Sequence, residues 1–427
     1  MSSAEGITAL TYREALQAIV GASQPLGDEL VRMEDARGRA LAGAVTSEID
    51  LPPWDNAGMD GYAVRADDVR GASSHHPVAL PVTATVAAGA DVSAIEVRRG
   101  ECVRIMTGAP VPYGADSVVR IEDTDGGGGI VIIGSDRDLA GRGNVRPKGE
   151  DVRAGEVLFG PGTTINAAHT GVLASIGMSE VRVHRRPRVT IVSSGDELVL
   201  LDEFETVKAG RRIVSSTSYA LPQLLTMAGA DVTVMPIARD TPADVINALS
   251  RALSIGCDLL ITTGGVSVGA HDYTRDALRA LGGTLDFWRA KIRPGGPIGT
   301  GSVSNVRWLG LPGNPVSSMV TAFLFAWPSI RRMAGHARVY HRPLQVRLKD
   351  AAETPGALTH FLRIVLDRDS NGELGARLAG PQGSNLMRIL AHADGLLVVP
   401  EDRASVHPGE LLDALIFPED ALVTDVA

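Results

Sequence analysis

Acidic side chains stand just after several short apolar runs in the part of the chain that follows Arg188, where buried strands would end. Asp196 and Glu197 follow the first run, Asp240 the second and Asp272 the third. Because the carboxyl ends of parallel strands meet at one edge of an open sheet, we expect these acids to converge there. Carboxylate and hydroxyl oxygens suit Mg²⁺, which commonly bridges to phosphates, so the pattern predicts a Mg²⁺ site at this edge of the sheet. Taken singly, each acid is equally typical of a helix cap or a solvated turn.

A glycine-rich turn separates the apolar run 259–262 from a helical pattern that begins at Tyr273. Glycines let a backbone approach a bulky ligand closely, and a rigid Pro-Gly-Asn-Pro turn ends a later strand. The glycine-rich turn has neither the Gly-Lys-Ser/Thr ending of a P-loop nor a Gly-x-Gly-x-x-Gly fingerprint. A simple tight connection is the alternative for this turn taken alone. These strand ends predict the following ligand contacts: Ser194, Gly195, Gly264, Gly265, Ser267, Gly269, Pro312, Gly313, Asn314 and Pro315.

Three cations occupy alternate positions before a proline-glycine turn, at Arg289, Lys291 and Arg293. If this segment is extended, alternate residues face the same side, and the three side chains could clamp an oxyanion. A solvated edge strand is the alternative, because edge strands often carry such charges.

The elements that position these residues follow from the alternation of patterns along the chain. After Arg188, strand-like runs alternate with helical patterns, which is typical of a mostly parallel sheet. Thr241 as cap and Pro242 at the first position predict a helix that extends to Ile255. Three other regions have their own character: helical spacing over 11–46, short β-type runs over 51–147 and shorter strands after 338, which predict a β-sandwich or small barrel. Between them, 151–158 gives a hairpin signal and 167–176 a short helix.

Composition excludes several classes of protein. The 427 residues are 44% hydrophobic and 21% charged, which is typical of an ordinary multidomain protein. The net charge of −9 argues against non-specific nucleic-acid binding. Cys102 and Cys257 are isolated, so we expect buried thiols rather than a disulfide or a zinc site. With no apolar run near the length of a membrane span and no signal-peptide pattern at the start, we expect a cytoplasmic protein.

Five motifs along the chain together resemble one family, the molybdopterin molybdenumtransferases, which comprise MoeA and the E-domain of gephyrin. They are Pro53-Trp54-Asp55-Asn56-Ala57-Gly58-Met59-Asp60-Gly61-Tyr62-Ala63, Arg104-Ile105-Met106-Thr107-Gly108-Ala109, Ser194-Gly195-Asp196-Glu197-Leu198, Gly264-Gly265-Val266-Ser267-Val268-Gly269 and Leu311-Pro312-Gly313-Asn314-Pro315. The resemblance covers nearly the whole chain, and Gln382-Gly383-Ser384 also looks familiar. It implies a multidomain α/β plus β fold with four domains: a helical and extended arm (6–50 and 147–186), an inserted β-rich domain (51–146), a three-layer α/β molybdopterin-binding domain with a mostly parallel sheet (187–337) and a C-terminal β-barrel (338–427).

The same resemblance implies an activity: insertion of molybdate into adenylylated molybdopterin, with release of AMP and use of Mg²⁺. By the matching motifs, Glu197, Asp240 and Asp272 would help to hold the metal and the pyrophosphate. Asp60 and Thr107 would act from the inserted domain, while Pro312 and Pro315 would shape the pocket wall. The resemblance also implies an elongated homodimer with its site at a subunit junction, and no covalent nucleophile.

Three departures from the family pattern keep a second hypothesis open. Gly296 stands where the family usually has a lysine, Ser215-Ser216-Thr217 stands where Asp-Ser-Asn is common, and Ala270-His271 replaces a usual acidic or polar residue. Arg289 and Arg293 stand where lysines are frequent. A gephyrin-like scaffold dimer that binds a peptide of a cytoskeletal, cell-division or membrane partner would also keep the fold and lose ligand contacts. The preceding adenylylation step is a third, weaker alternative.

Overall fold

A computed structural model of the chain describes residues 9–137, 139, 141–265, 273–368 and 373–418. The predicted site residues Ser267, Gly269 and Asp272 lie outside this part. The chain forms two compact units, and each is described by itself. The smaller unit contains Gly43–Gly160 and Ala167–Glu180, and the larger unit contains the rest of the described chain. The four-domain division stays a prediction.

The described residues contain short α-helices. They are α1 (Tyr12–Gly21), α2 (Ala167–Ser175), α3 (Phe204–Lys208), α4 (Thr217–Met227), α5 (Pro242–Ser254), α6 (Tyr273–Ala280), α7 (Pro315–Thr321), α8 (Trp327–Met333) and α9 (Met387–Ala391). A π-helical segment, Ala322–Ala326, joins α7 to α8. None of the helices found among the described residues has the length and apolarity that a bilayer crossing requires.

The strands are more numerous and mostly short. They are β1 (Asp28–Arg32), β2 (Val45–Thr46), β3 (Asn56–Ala57), β4 (Gly61–Val64), β5 (Val78–Val86), β6 (Cys102–Ile105), β7 (Ser117–Arg120), β8 (Ile130–Ile133), β9 (Val145–Arg146), β10 (Val157–Phe159), β11 (Glu180–His184), β12 (Arg188–Ser193), β13 (Leu198–Val199), β14 (Ile213–Val214), β15 (Asp231–Val234), β16 (Leu259–Thr263), β17 (Thr284–Arg289), β18 (Ile292–Arg293), β19 (Pro297–Val303), β20 (Val306–Leu311), β21 (Leu344–Leu348), β22 (Ala352–Glu353), β23 (Thr359–Arg368), β24 (Leu374–Leu378), β25 (Gly395–Val399), β26 (Ser405–Val406) and β27 (Leu411–Ile416).

The larger unit is built on a six-stranded sheet with the order β15-β12-β16-β20-β19-β17. The first four strands are parallel, and the last two are antiparallel additions. Helices cover both faces, because successive side chains of a strand point to opposite sides. In β16, Leu259 and Ile261 pack in a core with α4, α7 and α8, whereas Leu260 packs in a core with α5 and α6. The predicted three-layer α/β fold with a mostly parallel sheet is confirmed.

The start of α5 agrees with its predicted cap, but the helical region predicted over 11–46 is longer than the helix observed there. Thr241 Oγ1 accepts a hydrogen bond from the Asp244 amide at 3.1 Å, and Pro242 is the first residue of α5. The interpretation of 11–46 as helical is wrong beyond Gly21, because β1 pairs with β11 and β2 pairs with β10. The Pro25 to Gly27 stretch breaks the helical backbone, and the following residues find distant partners.

The predicted hairpin at 151–158 is also wrong. Val152 forms a bridge with Leu51, and Val157 pairs with Thr46, so both apolar positions pair with an earlier segment rather than with each other. A turn between them directs the Gly155 amide to the Ser47 oxygen at 2.8 Å. Long-range pairing therefore replaces the local hairpin that the pattern indicated.

The C-terminal residues form a closed five-stranded barrel. Strands β23, β24, β21, β27 and β25 follow one another, and β25 closes the ring by pairing with β23. Leu362, Ile364, Leu397, Val399 and Leu412 belong to its interior core. The predicted C-terminal β-barrel is confirmed, and α9 is the only α-helix between β21 and β27 in the described residues.

The smaller unit contains a five-stranded sheet with the order β7-β4-β6-β5-β8. Tyr62 and Val64 belong to one apolar core, and Ala63 belongs to another, so both faces of β4 are covered. Cys102 lies in the first core, and burial raises the pKa of its thiol to about 12. Cys102 and Cys257 are both free and buried, as predicted.

Two histidines of the larger unit are held in their neutral form. Burial lowers the pKa of His336 to about 3 and that of His341 to about 4. His336 Nδ1 shares a hydrogen bond of 2.7 Å with Thr164 Oγ1, and the His341 ring stacks on Phe323 with 3.8 Å between ring centroids. Protonation of either ring would place a charge in a buried site.

The free energy of unfolding is expected to decrease as the pH is lowered, because of His336. An unfolded histidine binds a proton near pH 6.5 and the folded His336 only near pH 3, so the unfolded state binds more protons in between. The free energy of unfolding should therefore decrease from pH 6.5 towards pH 3, by about 1.4 kcal/mol per pH unit for this residue. Urea unfolding of His336→Asn should show a shallower pH dependence. The exposed His75→Asn variant should match the unchanged protein; an identical slope for His336→Asn would contradict this account.

Candidate functional site

A cleft of about 500 Å³ opens at the carboxyl ends of the parallel strands β12, β16 and β20. The predicted site residues that line it are Ser194, Gly195, Glu197, Asp240, Gly264, Gly265, Pro312, Gly313, Asn314 and Pro315. The lining residues outside that prediction are Leu198, Ile213, Val214, Ser215, Ser216, Thr217, Thr263 and Pro297. Side chains and glycines from distant parts of the sequence thus converge at one edge of the sheet.

Main-chain hydrogen bonds continue past the strands and set the loops in register. The Ser194 amide donates to the Thr263 oxygen at 3.4 Å, and the Gly264 amide donates to the Leu311 oxygen at 3.1 Å. The Gly195 amide donates to the Ala238 oxygen at 3.2 Å. Because these bonds join neighbouring loops, the cleft has a floor of fixed backbone rather than of independent turns.

Glycine is required where the loops approach one another. Gly264 has a φ of +81°, and a Cβ atom there would lie 3.3 Å from the Ser194 oxygen. A Cβ atom on Gly313 would lie 3.6 Å from the Gly264 Cα atom. A side chain at position 264 would therefore combine a left-handed backbone with a tight contact.

We expect Gly264→Ala to lose more stability than Gly210→Ala. Both residues have left-handed φ angles, +81° and +71°, but a Cβ atom on Gly210 meets nothing within 4 Å. The φ cost of about 1 to 2 kcal/mol is common to the two variants, so the difference in their free energy of unfolding reports the contact with Ser194. Urea denaturation measures it. Equal losses in the two variants would show that the loops relax freely.

The acidic residues are only partly gathered in the described structure. Glu197 is exposed and Asp240 half-buried, and both line the cleft. Their predicted partner Asp272 lies outside the described residues. Within the described ranges, no group of three or more His, Cys, Asp or Glu side chains is arranged to hold a metal ion. The metal site stays a prediction.

Hydroxyl groups form the wall of the cleft before α4. Ser215, Ser216 and Thr217 line it, and Ser215 Oγ lies 2.7 Å from Ser218 Oγ in a hydrogen bond. Thr263 Oγ1 donates to the buried Ser193 Oγ at 2.8 Å. This wall offers neutral hydroxyl groups at 215–217, where the sequence was noted to have Ser-Ser-Thr in place of Asp-Ser-Asn.

The three alternating cations do not line the cleft. Arg289 and Arg293 are exposed and Lys291 is half-buried, while the intervening Ala290 and Ile292 are buried. The alternation of sides is therefore as expected. Arg289 ends β17, an edge strand of the six-stranded sheet, and Ile292 pairs with Thr359 in the barrel sheet. Their role as an oxyanion clamp stays a prediction.

In the smaller unit, the structure brings Asp60 and Thr107 together. Thr107 donates to Asp60 Oδ1 twice, from its hydroxyl at 2.6 Å and from its amide at 2.7 Å. Gly61, the next residue, pairs with Ile105 near the end of β6. These two hydrogen bonds hold the pKa of the exposed Asp60 carboxyl below its usual value, so Asp60 is an anionic acceptor at neutral pH.

Arg363 is a buried cation that the sequence analysis did not predict. Its side chain is fully buried, and its Nε and Nη1 atoms have no hydrogen-bond partner among the described residues. Burial lowers the pKa of this guanidinium. Its amide donates to Gln382 Oε1 at 2.8 Å, and the Ser384 oxygen accepts from the Val316 amide at 3.2 Å, beside Pro315 of the cleft. The Gln382-Gly383-Ser384 stretch, which the sequence analysis noted as part of the family resemblance, was the signal that could have drawn attention to Arg363.

A second hollow of about 660 Å³ contains no predicted site residue. Its walls are mainly apolar and include Met227, Met319, Phe323, Met387 and Phe417. It lacks the paired carboxylates and the close glycine loops of the strand-end cleft. The strand-end cleft is therefore the candidate site, and its construction is that of an α/β protein that binds a ligand at the carboxyl edge of its sheet.

Family comparisons agree with this class and specify it. The MoeA N-terminal region (domain I and II) matches residues 10–177, a probable molybdopterin binding domain matches 190–332, and the MoeA C-terminal region (domain IV) matches 345–417. The chain belongs to the MoeA family. The resemblance inferred from the five motifs is confirmed.

Individual relatives match over most of their length. The molybdopterin molybdenumtransferase 2 of Mycobacterium tuberculosis is 37% identical over 389 residues, which is 90% of this chain and 93% of that protein. The molybdopterin molybdenumtransferase of Nostoc is 34% identical, covering 91% and 89%. The crystal structure of the molybdopterin biosynthesis MoeA protein from Pyrococcus horikoshii superposes with a TM-score of 0.82 at 28% identity, covering 96% of this chain and 100% of that one.

Proposed function

We propose that this protein is a molybdopterin molybdenumtransferase that inserts molybdate into adenylylated molybdopterin and releases AMP. The observation that carries the proposal is the strand-end cleft, where Glu197 and Asp240 face a backbone floor that glycine keeps free of side chains. This cleft lies in the region that matches the molybdopterin binding domain. The names of the two relatives above, at 37% and 34% identity, support the same activity.

The donor groups of the cleft fit Mg²⁺. Two carboxylates and several hydroxyls are oxygen ligands of the kind that this ion prefers. Glu197 and Asp240, together with Asp272, would hold it. When bound, the ion would neutralise charge on the oxygens of the phosphoanhydride. The protein's own contribution is to fix the two strand-end loops so that these carboxylates stay on one side of the ligand.

Molybdate requires a cation, and we propose Arg363. This residue does not line the cleft itself but lies beside the 382–384 turn, whose Ser384 oxygen accepts from the Val316 amide next to the cleft residue Pro315. The Arg363 Nη2 donates to the Pro381 oxygen at 3.0 Å, whereas its Nε and Nη1 donors are buried and without partners among the described residues, which is costly unless an anion accepts from them. Arg289, Lys291 and Arg293 remain proposed contacts for the anionic parts of the cofactor. Arg289 and Arg293 are exposed and Lys291 is half-buried, which allows such contacts.

The proposal also includes a role for the Asp60–Thr107 pair and an oligomeric state. Asp60 and Thr107 would act as a fixed acceptor and hydroxyl pair, because their hydrogen bonds keep the carboxylate ionised. We also propose a homodimer in the cytoplasm with the four-domain organisation given above, on the strength of the family. Analytical ultracentrifugation tests the dimer independently of activity.

The activity is tested by incubating the purified protein with adenylylated molybdopterin, Mg²⁺ and molybdate and measuring AMP. We expect molybdate-dependent release that Glu197→Gln lowers strongly, because this variant keeps the size of the side chain and removes its charge. A thermal unfolding transition like that of the unchanged protein is the control that the variant is folded. No release from the folded, unchanged protein would contradict the proposal and favour the scaffold hypothesis.

A further inference from the structure

The parallel pairing of β12 with β15 continues into the loops beyond both strands. Ile191 pairs with Val234, the Ala238 amide donates to the Ser193 oxygen at 2.9 Å, and the Gly195 amide donates to the Ala238 oxygen at 3.2 Å. Beyond Gly195, the hydrogen bonds between these two loops no longer have main-chain oxygens as acceptors. The carboxylates of the two loops take over that role.

Asp196 and Asp240 are joined by a reciprocal pair of hydrogen bonds. The Asp240 amide donates to Asp196 Oδ1 at 3.3 Å, and the Asp196 amide donates to Asp240 Oδ2 at 3.4 Å. Asp240 Oδ1 has no hydrogen-bond partner among the described residues. Asp240 lines the cleft, whereas Asp196 is exposed and does not. Each carboxylate thus holds the other's main chain, but only Asp240 lines the cleft.

We propose that Asp196 is a positioning residue, which holds the Asp240 loop so that the free oxygen of Asp240 faces the cleft. The inference rests on the proposed function for its consequence in catalysis, because there Asp240 is a metal ligand. The geometry itself does not depend on the reaction. Without the Asp196 carboxylate, the Asp240 amide loses its acceptor, and of the two bonds that join Asp196 to Asp240 only the one that the Asp196 amide donates remains.

Two substitutions separate positioning from direct contact with a metal. Asp196→Asn keeps an oxygen that can accept from the Asp240 amide but removes the charge, whereas Asp196→Ala removes both. A positioning residue predicts near-normal activity for asparagine and a loss for alanine. A direct ligand predicts a loss for both, because the charge is what a metal binds.

The experiment measures kcat, KM and the Mg²⁺ concentration at half-maximal AMP release in both variants. For Asp196→Ala we expect kcat to fall by about 10- to 100-fold, the range found when a residue that orients a metal ligand is removed. The half-saturating Mg²⁺ concentration should rise, while the KM for adenylylated molybdopterin should change little. Asp202→Ala, which removes an exposed acid in the same segment, is the matched control and should behave as the unchanged protein.

Hydrogen exchange followed by mass spectrometry gives a second measurement that needs no activity. The amide of Asp240 should exchange faster in Asp196→Ala than in the unchanged protein, and Asp196→Asn should restore the slow exchange. If the unchanged protein releases no AMP but this pattern is seen, the proposed function fails and the positioning role stands. If asparagine loses as much activity as alanine, or if neither variant alters exchange at Asp240, the positioning role is wrong.

Discussion

Replacement of Asp240 by asparagine is expected to lower kcat for AMP release by about 100-fold or more, within the range found when one charge-stabilising group is removed from a catalytic site. Asparagine has the same shape, and its side-chain oxygen can still accept from the Asp196 amide, which is bonded to Asp240 in the folded protein. The charge alone is lost. The loss should therefore appear in kcat and in the Mg²⁺ requirement rather than in folding.

The matched control for Asp240→Asn is Asp202→Asn, which makes the same chemical change on an exposed residue of the neighbouring loop. Steady-state measurement of AMP at several Mg²⁺ concentrations distinguishes the two variants. If Asp240→Asn retains the kcat and the Mg²⁺ dependence of the unchanged protein, Asp240 does not hold the metal.

Replacement of Arg363 by methionine is expected to weaken the use of molybdate without lowering the free energy of unfolding. Loss of a charge-assisted hydrogen bond of about 1.5 to 3 kcal/mol corresponds to a half-saturating molybdate concentration about 10- to 150-fold higher. Methionine also removes a buried guanidinium whose Nη2 donates to the Pro381 oxygen but whose Nε and Nη1 have no described partner. The free energy of unfolding should then stay the same or rise by about 1 kcal/mol or more, as when buried charges are replaced by apolar side chains.

Molybdate dependence of AMP release and urea unfolding, measured side by side, test this pair of effects. Arg377→Met is the control, since Arg377 also lies in the barrel but forms ion pairs with Asp350 and Asp367 at its surface. A variant Arg363→Met that unfolds more easily and keeps its molybdate dependence would show that Arg363 serves the fold and not the substrate.

The α/β part of the fold was predictable because its pattern is local. Each parallel strand is a short apolar run, and the cap residues Thr241 and Pro242 mark the start of the next helix. Once the strands are parallel, their carboxyl ends share an edge, which places Glu197 and Asp240 in one cleft without further information. Strand-end positions and family motifs together therefore predicted ten of the eighteen described residues that line the cleft.

Pairings between distant segments were not predictable in the same way. Asp28–Arg32 reads locally as part of a helical pattern, but its strand partner is Glu180–His184, far along the chain. Arg363 shows the same limit for the site. An arginine in a strand is ordinarily exposed, and its burial depends on contacts of the barrel with the turn around Gln382. Neither feature leaves a periodic signal near the residue itself.

The three alternating cations show how a pattern can be right about orientation and silent about location. Arg289, Lys291 and Arg293 lie on one side of their segment, as expected, because the apolar residues between them are buried. Which surface that side faces depends on how the segment passes from the six-stranded sheet to the barrel sheet. That passage involves partners such as Thr359, which lies far from the segment in sequence.

The most direct test of the central claim measures molybdenum incorporated into the cofactor and AMP released, in the same reaction of the unchanged protein with adenylylated molybdopterin, Mg²⁺ and molybdate. The proposed transfer predicts equimolar amounts that rise together with time, and a parallel loss of both in Asp240→Asn. AMP release without incorporation of molybdenum would identify a hydrolase, and the absence of both products from a folded protein would contradict the assignment of the strand-end cleft as a molybdenum insertion site.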